Sequence, residues 1–102
     1  MIDLLRTFLS IVDRGGVTQA ASALHMSQAA ASQQIKRLEE MLECRLFERQ
    51  GRRLARAPAG ERREAQARRL VAGSDELLAS MRAALDGYAL TIRIVFPGTS
   101  TT

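Results

Sequence analysis

The sequence predicts a mainly α-helical chain: three short helices in a helix-turn-helix arrangement, a two-stranded turn rich in arginine, and one long helix. Apolar residues recur at helical spacing in three separate stretches, residues 5 to 12, 31 to 42 and 67 to 88. Capping and small residues between 18 and 28 leave only a brief connection between two helices. Aromatic residues make up 4% of the 102 and Trp is absent, so the core must come from Leu, Ala, Ile and Val; at this Ala content, that favours helices over sheets. A domain of this size holds one small core and is only modestly stabilised alone, so oligomerisation would add to it.

Leu5, Phe8, Leu9 and Val12 fall at i, i+3, i+4 and i+7, which predicts an amphipathic helix over residues 3 to 13 with Asp3 as its N-cap. Gly15-Gly16 ends it. Thr18 is the expected cap of a second, short helix whose Ala20, Ala21 and Ala23 let another helix cross closely. Ser27 is a further cap only two residues after His25, so the chain turns sharply there and His25 reads as a turn or packing residue.

A third helix is expected from Gln28 to Leu42, burying Ala31, Ile35, Leu38 and Leu42 at spacings of 4, 3 and 4. Its opposite face carries Ala29, Ser32, Gln33 and Lys36, free of bulk and of acid. Gln bonds bidentately to adenine, Ser and Ala fit beside base edges and thymine methyls, and a cation reaches phosphate or guanine. Residues 45 to 49 and 53 to 56 then read as two short strands about a turn at Gln50-Gly51-Arg52, a wing. Arg49, Arg52, Arg53 and Arg56 fall there with no acid between them, a composition suited to the narrow, electronegative minor groove. A solvated surface turn is the plain alternative.

Pro58 suits the first turn of a long helix running to about Gly87, with Ala67, Leu70, Ser74, Leu77, Met81, Ala84 and Tyr88 spaced alternately 3 and 4. So long a stripe favours pairing with the same helix of another chain over packing back on a small domain. After it, Leu90, Ile92 and Ile94 alternate with Thr91 and Arg93 as a strand would.

The net charge of +4 is uneven along the chain. Residues 36 to 69 hold eleven cations against six Glu, whereas residues 1 to 35 sum to zero and residues 70 to 102 to −1. Clustered cations of this kind release counterions on meeting phosphate, so a polyanion is the expected partner of the middle segment. The single cysteine, Cys44, excludes an intramolecular disulfide and points to a reducing, cytoplasmic setting. MIDLLRTFLSIVD lacks the basic start of a signal peptide, and no apolar run approaches the roughly 20 residues of a membrane span. Catalysis is disfavoured: one His, one Cys and no glycine-rich phosphate loop offer neither a metal cage nor a nucleophile–base pair, so no cofactor is expected.

The stretch FLSIVDRGGVTQAASALHMSQAAASQQIKRLEEMLECRLFER resembles the hallmark N-terminal region of LysR-type transcriptional regulators, with AA at 20 and 21, SQ at 27 and 28, QI at 34 and 35, LE at 38 and 39 and LFER at 46 to 49. PAGE at 58 to 61 is similar to the start of the family's linker helix, and LTIRI to the first strand of its effector domain. The resemblance implies a winged helix-turn-helix over 1-57, a dimerising linker helix over 58-88, and over 89-102 the start of an effector domain that is otherwise absent, strand-like or disordered. Glu43 stands where the family commonly has Gly, and Ala57 where a capping Thr is usual.

The function expected from the residues and the resemblance together is sequence-specific binding of double-stranded DNA. Ser27, Gln28, Ala29, Ser32, Gln33 and Lys36 are the candidates for the major groove, Thr18 and Arg37 for phosphate, and Arg52 and Arg53 for the wing in the minor groove. Leu70, Leu77, Met81, Ala84 and Tyr88 are the candidates for dimerisation, giving a homodimer here and a tetramer in a full-length protein. The alternative is a dimerisation fragment that pairs with full-length regulators and modulates them without itself binding operator DNA.

Overall fold

The computed structural model describes residues 1–51 and 53–95, and of Arg53 the backbone alone. Contacts divide the chain into two units, Met1–Val71 and the stretch from Ala72 onward. In order, the elements are α1 (Ile2–Arg14), α2 (Val17–Ala23), α3 (Gln28–Leu42), β1 (Phe47–Gln50), β2 (Arg53–Arg56) and α4 (Pro58–Val95).

Within the first unit, α1, α2 and α3 pack on one another in pairs. Phe8, Leu38 and Leu46 are fully buried, and Leu4, Leu5, Leu9, Ile11, Ala20, Ile35 and Ala67 complete the cluster around them. Each large side chain so buried is worth roughly 1.5–3 kcal/mol over its exposed state. Ala20, Ala21 and Ala31 are buried where helices cross, so their lack of bulk sets the close approach. The edge of one ring meets the face of another where Phe8 approaches Phe47, with centroids 5.4 Å apart and planes at 64°, seating the wing on α1. Thr7, also buried, donates its hydroxyl proton to Gln34 Oε1 at 2.5 Å and so ties α1 to α3 through a satisfied polar contact.

The helix ends follow from short-range chemistry. At the C-cap of α1, Gly15 is left-handed with φ 81°, and its N–H closes on the Ile11 carbonyl. His25 takes a left-handed φ of 56° and ends α2 by donating to the Ser22 carbonyl, while the Met26 N–H reaches back to Ala21. Glu43 ends α3 in the same way at φ 53°, with the Cys44 N–H on the Glu39 carbonyl at 3.2 Å. A histidine and a glutamate thus hold the positive-φ positions that glycine occupies most easily.

Two expected caps are corrected. α1 begins at Ile2, with Met1 before it and no side-chain cap, so Asp3 lies inside the first turn and favours it through the helix dipole instead. α2 begins at Val17 behind an extended Gly16, which places Thr18 inside the helix and leaves its hydroxyl without a capping role. In both cases the preceding residue enters the helix one or two positions early.

β1 and β2 pair antiparallel in the register Phe47↔Arg56 to Gln50↔Arg53, so the first strand starts two residues later than its expected start at 45. In the second unit α4 continues to Val95, and the strand expected over Leu90 to Ile94 is helical. With no neighbouring strand among the described residues to take its hydrogen bonds, that backbone satisfies itself along the helix, and the Thr91 hydroxyl bonds the Gly87 carbonyl at 2.9 Å. Residues 96–102 of the expected strand-like or disordered tail lie outside the described residues.

Candidate nucleic-acid interface

α3 opens on a filled cap, because the Ser27 hydroxyl accepts a hydrogen bond from the Ala30 N–H at 3.0 Å. Ser27 is therefore first a structural residue, whose hydroxyl keeps its own proton free to donate outward. Gln28, Ala29, Ser32, Gln33, Lys36 and Arg37 are all exposed, while Ala31, Ile35 and Leu38 are buried. The helix thus presents a flank of short and amide side chains at its start and cations about two turns on.

That flank has two rows. Gln28 and Ser32, four positions apart, face an open groove bounded by the start of α2 and by the wing, and the buried Ile35 and half-buried Glu39 continue its lining along α3. Thr18 and Gln19 line its α2 side and Arg45, Arg49 and Gln50 its wing side. The expected residues Thr18, Gln28 and Ser32 are therefore brought together across this groove. Ala29, Gln33 and Lys36 form the neighbouring row, turned outward, with Arg37 beside it. Gln19 and Arg45 are not among the residues the sequence singles out; a helix of seven residues and the short connection between α3 and β1 hold too few periodic positions to show which way they point.

The wing's arginines separate into two sets. Arg49 is exposed on β1 near the tip. Arg56 is at the base of the hairpin, opposite Phe47, and pairs with Glu64 of α4. Its charge, though exposed, is therefore paired within the protein, and counting it with the tip arginines overstates the charge available there. Arg52 and the side chain of Arg53 lie outside the described residues.

Glu64 also accepts from Arg68 at 2.8 Å, and Arg68 reaches Asp13 of α1 at 2.6 Å. Hydrogen bonds from Arg68 hold the carboxyls of both Asp13 and Glu64 below the usual carboxylate range, and the nearby Arg56 charge lowers Glu64 further. The same two partners raise Arg68, which is cationic in any case. This chain of charges fixes the first turns of α4 to the wing base and to α1. Among the described residues no group of His, Cys, Asp or Glu is placed to hold a metal, and none of the helices is long and apolar enough to cross a membrane.

Comparison with known proteins bears on what this surface does. The family described as bacterial regulatory helix-turn-helix protein, lysR family, matches residues 2–61. The HTH-type transcriptional regulator DgdR of Burkholderia cepacia is 39% identical over 80 residues, covering 78% of this chain and 27% of that protein. BlaA of Streptomyces cacaoi, another HTH-type transcriptional regulator, is 35% identical over all 102 residues, which cover 30% of it. The chain thus spans less than a third of either regulator. Among solved structures, a complex of the BenM DNA-binding domain with benA site 1 DNA superposes with a TM-score of 0.77 at 30% identity, covering 85% of this chain and 98% of that one. The CbnR DNA-binding domain in its DNA complex gives 0.75 at 29% identity, covering 83% and 98%. Three helices, a wing and a long following helix, with this family match over more than half its length, place the chain in the lysR family of bacterial regulatory helix-turn-helix proteins.

Proposed function

We propose that this chain is the sequence-specific, double-stranded-DNA-binding part of a LysR-type transcriptional regulator. α3 enters the major groove by its Gln28, Ala29, Ser32, Gln33 and Lys36 flank, Thr18 and Arg37 touch phosphate, and the wing lies in the minor groove with Arg52 and Arg53. The observation that carries this reading is that every described one of these α3 residues is exposed on one flank of a capped helix, beside a groove that also collects Thr18 and Arg49. Amides and hydroxyls at such a flank match base edges, and cations at its margin match phosphate. Selection of bound sites from random duplexes, followed by a salt titration on the winning sequence, tests it: one preferred site and a steep salt slope are expected, and equal binding to all duplexes overturns it.

The partition into a DNA-binding region over 1-57 and a linker helix over 58-88 belongs to the same proposal, as do a cytoplasmic location and a homodimer formed through α4. The apolar residues that α4 exposes support the last: Leu77, Met81 and Tyr88 are 62%, 53% and 66% accessible in the second unit, and Leu70 of the first is likewise exposed. In a full-length regulator, pairing through further regions would yield the tetramer.

A further inference from the structure

We propose that Glu39 is a positioning residue that sets the wing against α3, so that both engage one duplex at once; this inference rests on the DNA-binding reading above. Glu39 acts twice on the chain that leaves α3. Its backbone carbonyl accepts from the Cys44 N–H at 3.2 Å, closing the helix. Its side chain, Oε2, accepts from the Leu46 N–H at 2.8 Å, just before β1 begins. Leu46 is completely buried, and its carbonyl accepts from the Ala57 N–H at 2.9 Å, adding one rung below the Phe47↔Arg56 pair. Both strands of the wing are therefore tied to Leu46, a residue whose N–H the recognition helix holds by a charge-assisted bond.

The wing has another polar tie, the Arg56–Glu64 ion pair, but that holds β2 to α4 and not to α3. Its outer residues Arg49 and Gln50 are exposed, and a two-stranded hairpin is marginal without support. Phe47 against Phe8 seats the hairpin by an apolar contact, which tolerates sliding, whereas the Glu39 bond is directional. Glu39 stands on the same row as Gln28 and Ser32, so the helix face that reads bases also anchors the wing.

The test compares Glu39→Ala and Glu39→Gln with the wild type on the duplex selected by the wild type. Glu39→Gln keeps an acceptor oxygen; Glu39→Ala removes it. Glu39→Ala is expected to speed Leu46 amide exchange by at least about tenfold and to reduce the salt slope by about one per lost phosphate contact, while the bases read by α3 stay preferred. Glu39→Gln is expected to restore both. Measurements are made where each variant is folded by circular dichroism, so that mere loss of stability, which leaves the salt slope unchanged, is told apart. A folded Glu39→Ala protein with wild-type slope and wild-type Leu46 exchange overturns the inference alone. Failure of the wild type to prefer any duplex overturns the DNA-binding reading and this inference with it.

Discussion

Arg68 of α4 and Asp13 of α1, fifty-five positions apart in the chain, meet at 2.6 Å, and the same guanidinium holds Glu64 at 2.8 Å. Both carboxyls are depressed below their ordinary values of 3.8 and 4.5, chiefly by the hydrogen bonds from Arg68. A carboxylate with a lowered folded-state pKa contributes stability that is present above its unfolded value and is lost as pH falls through the folded one. Thermal melts of the wild type should therefore hold steady from pH 7 to 5 and weaken below about 4.5. Arg68→Ala should melt lower near neutrality, by ~0.2–1 kcal/mol per exposed pair, with a smaller additional loss in acid.

Glu43 stands left-handed at φ 53° and is exposed, so its side chain contributes strain without burial. Glu43→Gly should raise stability by about 1 kcal/mol in urea unfolding and leave DNA affinity unchanged.

Gly60 is the reverse case. A Cβ there would come within 2.1 Å of the Leu46 carbonyl oxygen, a backbone atom that cannot swing aside. Gly60→Ala should destabilise by about 1–3 kcal/mol despite the better helix propensity of Ala, seen as a lower urea midpoint.

For DNA recognition, Gln28→Ala should relax preference at one base pair, costing ~1–3 kcal/mol of discrimination on competing duplexes. Arg52→Ala should weaken binding to all duplexes alike and reduce the salt slope by about one. Wild-type behaviour from both variants would refute the assignment of these two residues.

Leu77 and Met81 sit four positions apart on the exposed stripe of α4. Introducing Glu at both should shift a dimer towards monomer in sedimentation equilibrium without changing the helix content of the first unit; unchanged mass would show that the stripe is not the contact. The loss follows from burying like charges at helical i, i+4 spacing.

What the residue order by itself determined was the run of helices and the face each buries. The apolar spacings at 5 to 12 and 31 to 42, the Ser27 cap and the Gly15 stop act within a turn or two, so their information is local and legible, and α3 spans Gln28–Leu42 as its spacing predicts. The exposed flank of α3 followed from the same periodicity. Caps were less legible at α1 and α2, where a Met and a Gly precede the first helical residue and neither offers a side-chain acceptor. Only tertiary structure decided that Gln34 serves Thr7, twenty-seven positions away, that Glu39 holds Leu46, and that Arg56, though exposed, pairs with Glu64. It decided as well that residues 90 to 94 are helical, since alternation makes a strand only where another strand offers hydrogen bonds. Contacts between distant positions depend on how helices cross in space, and no spacing along the chain encodes that crossing.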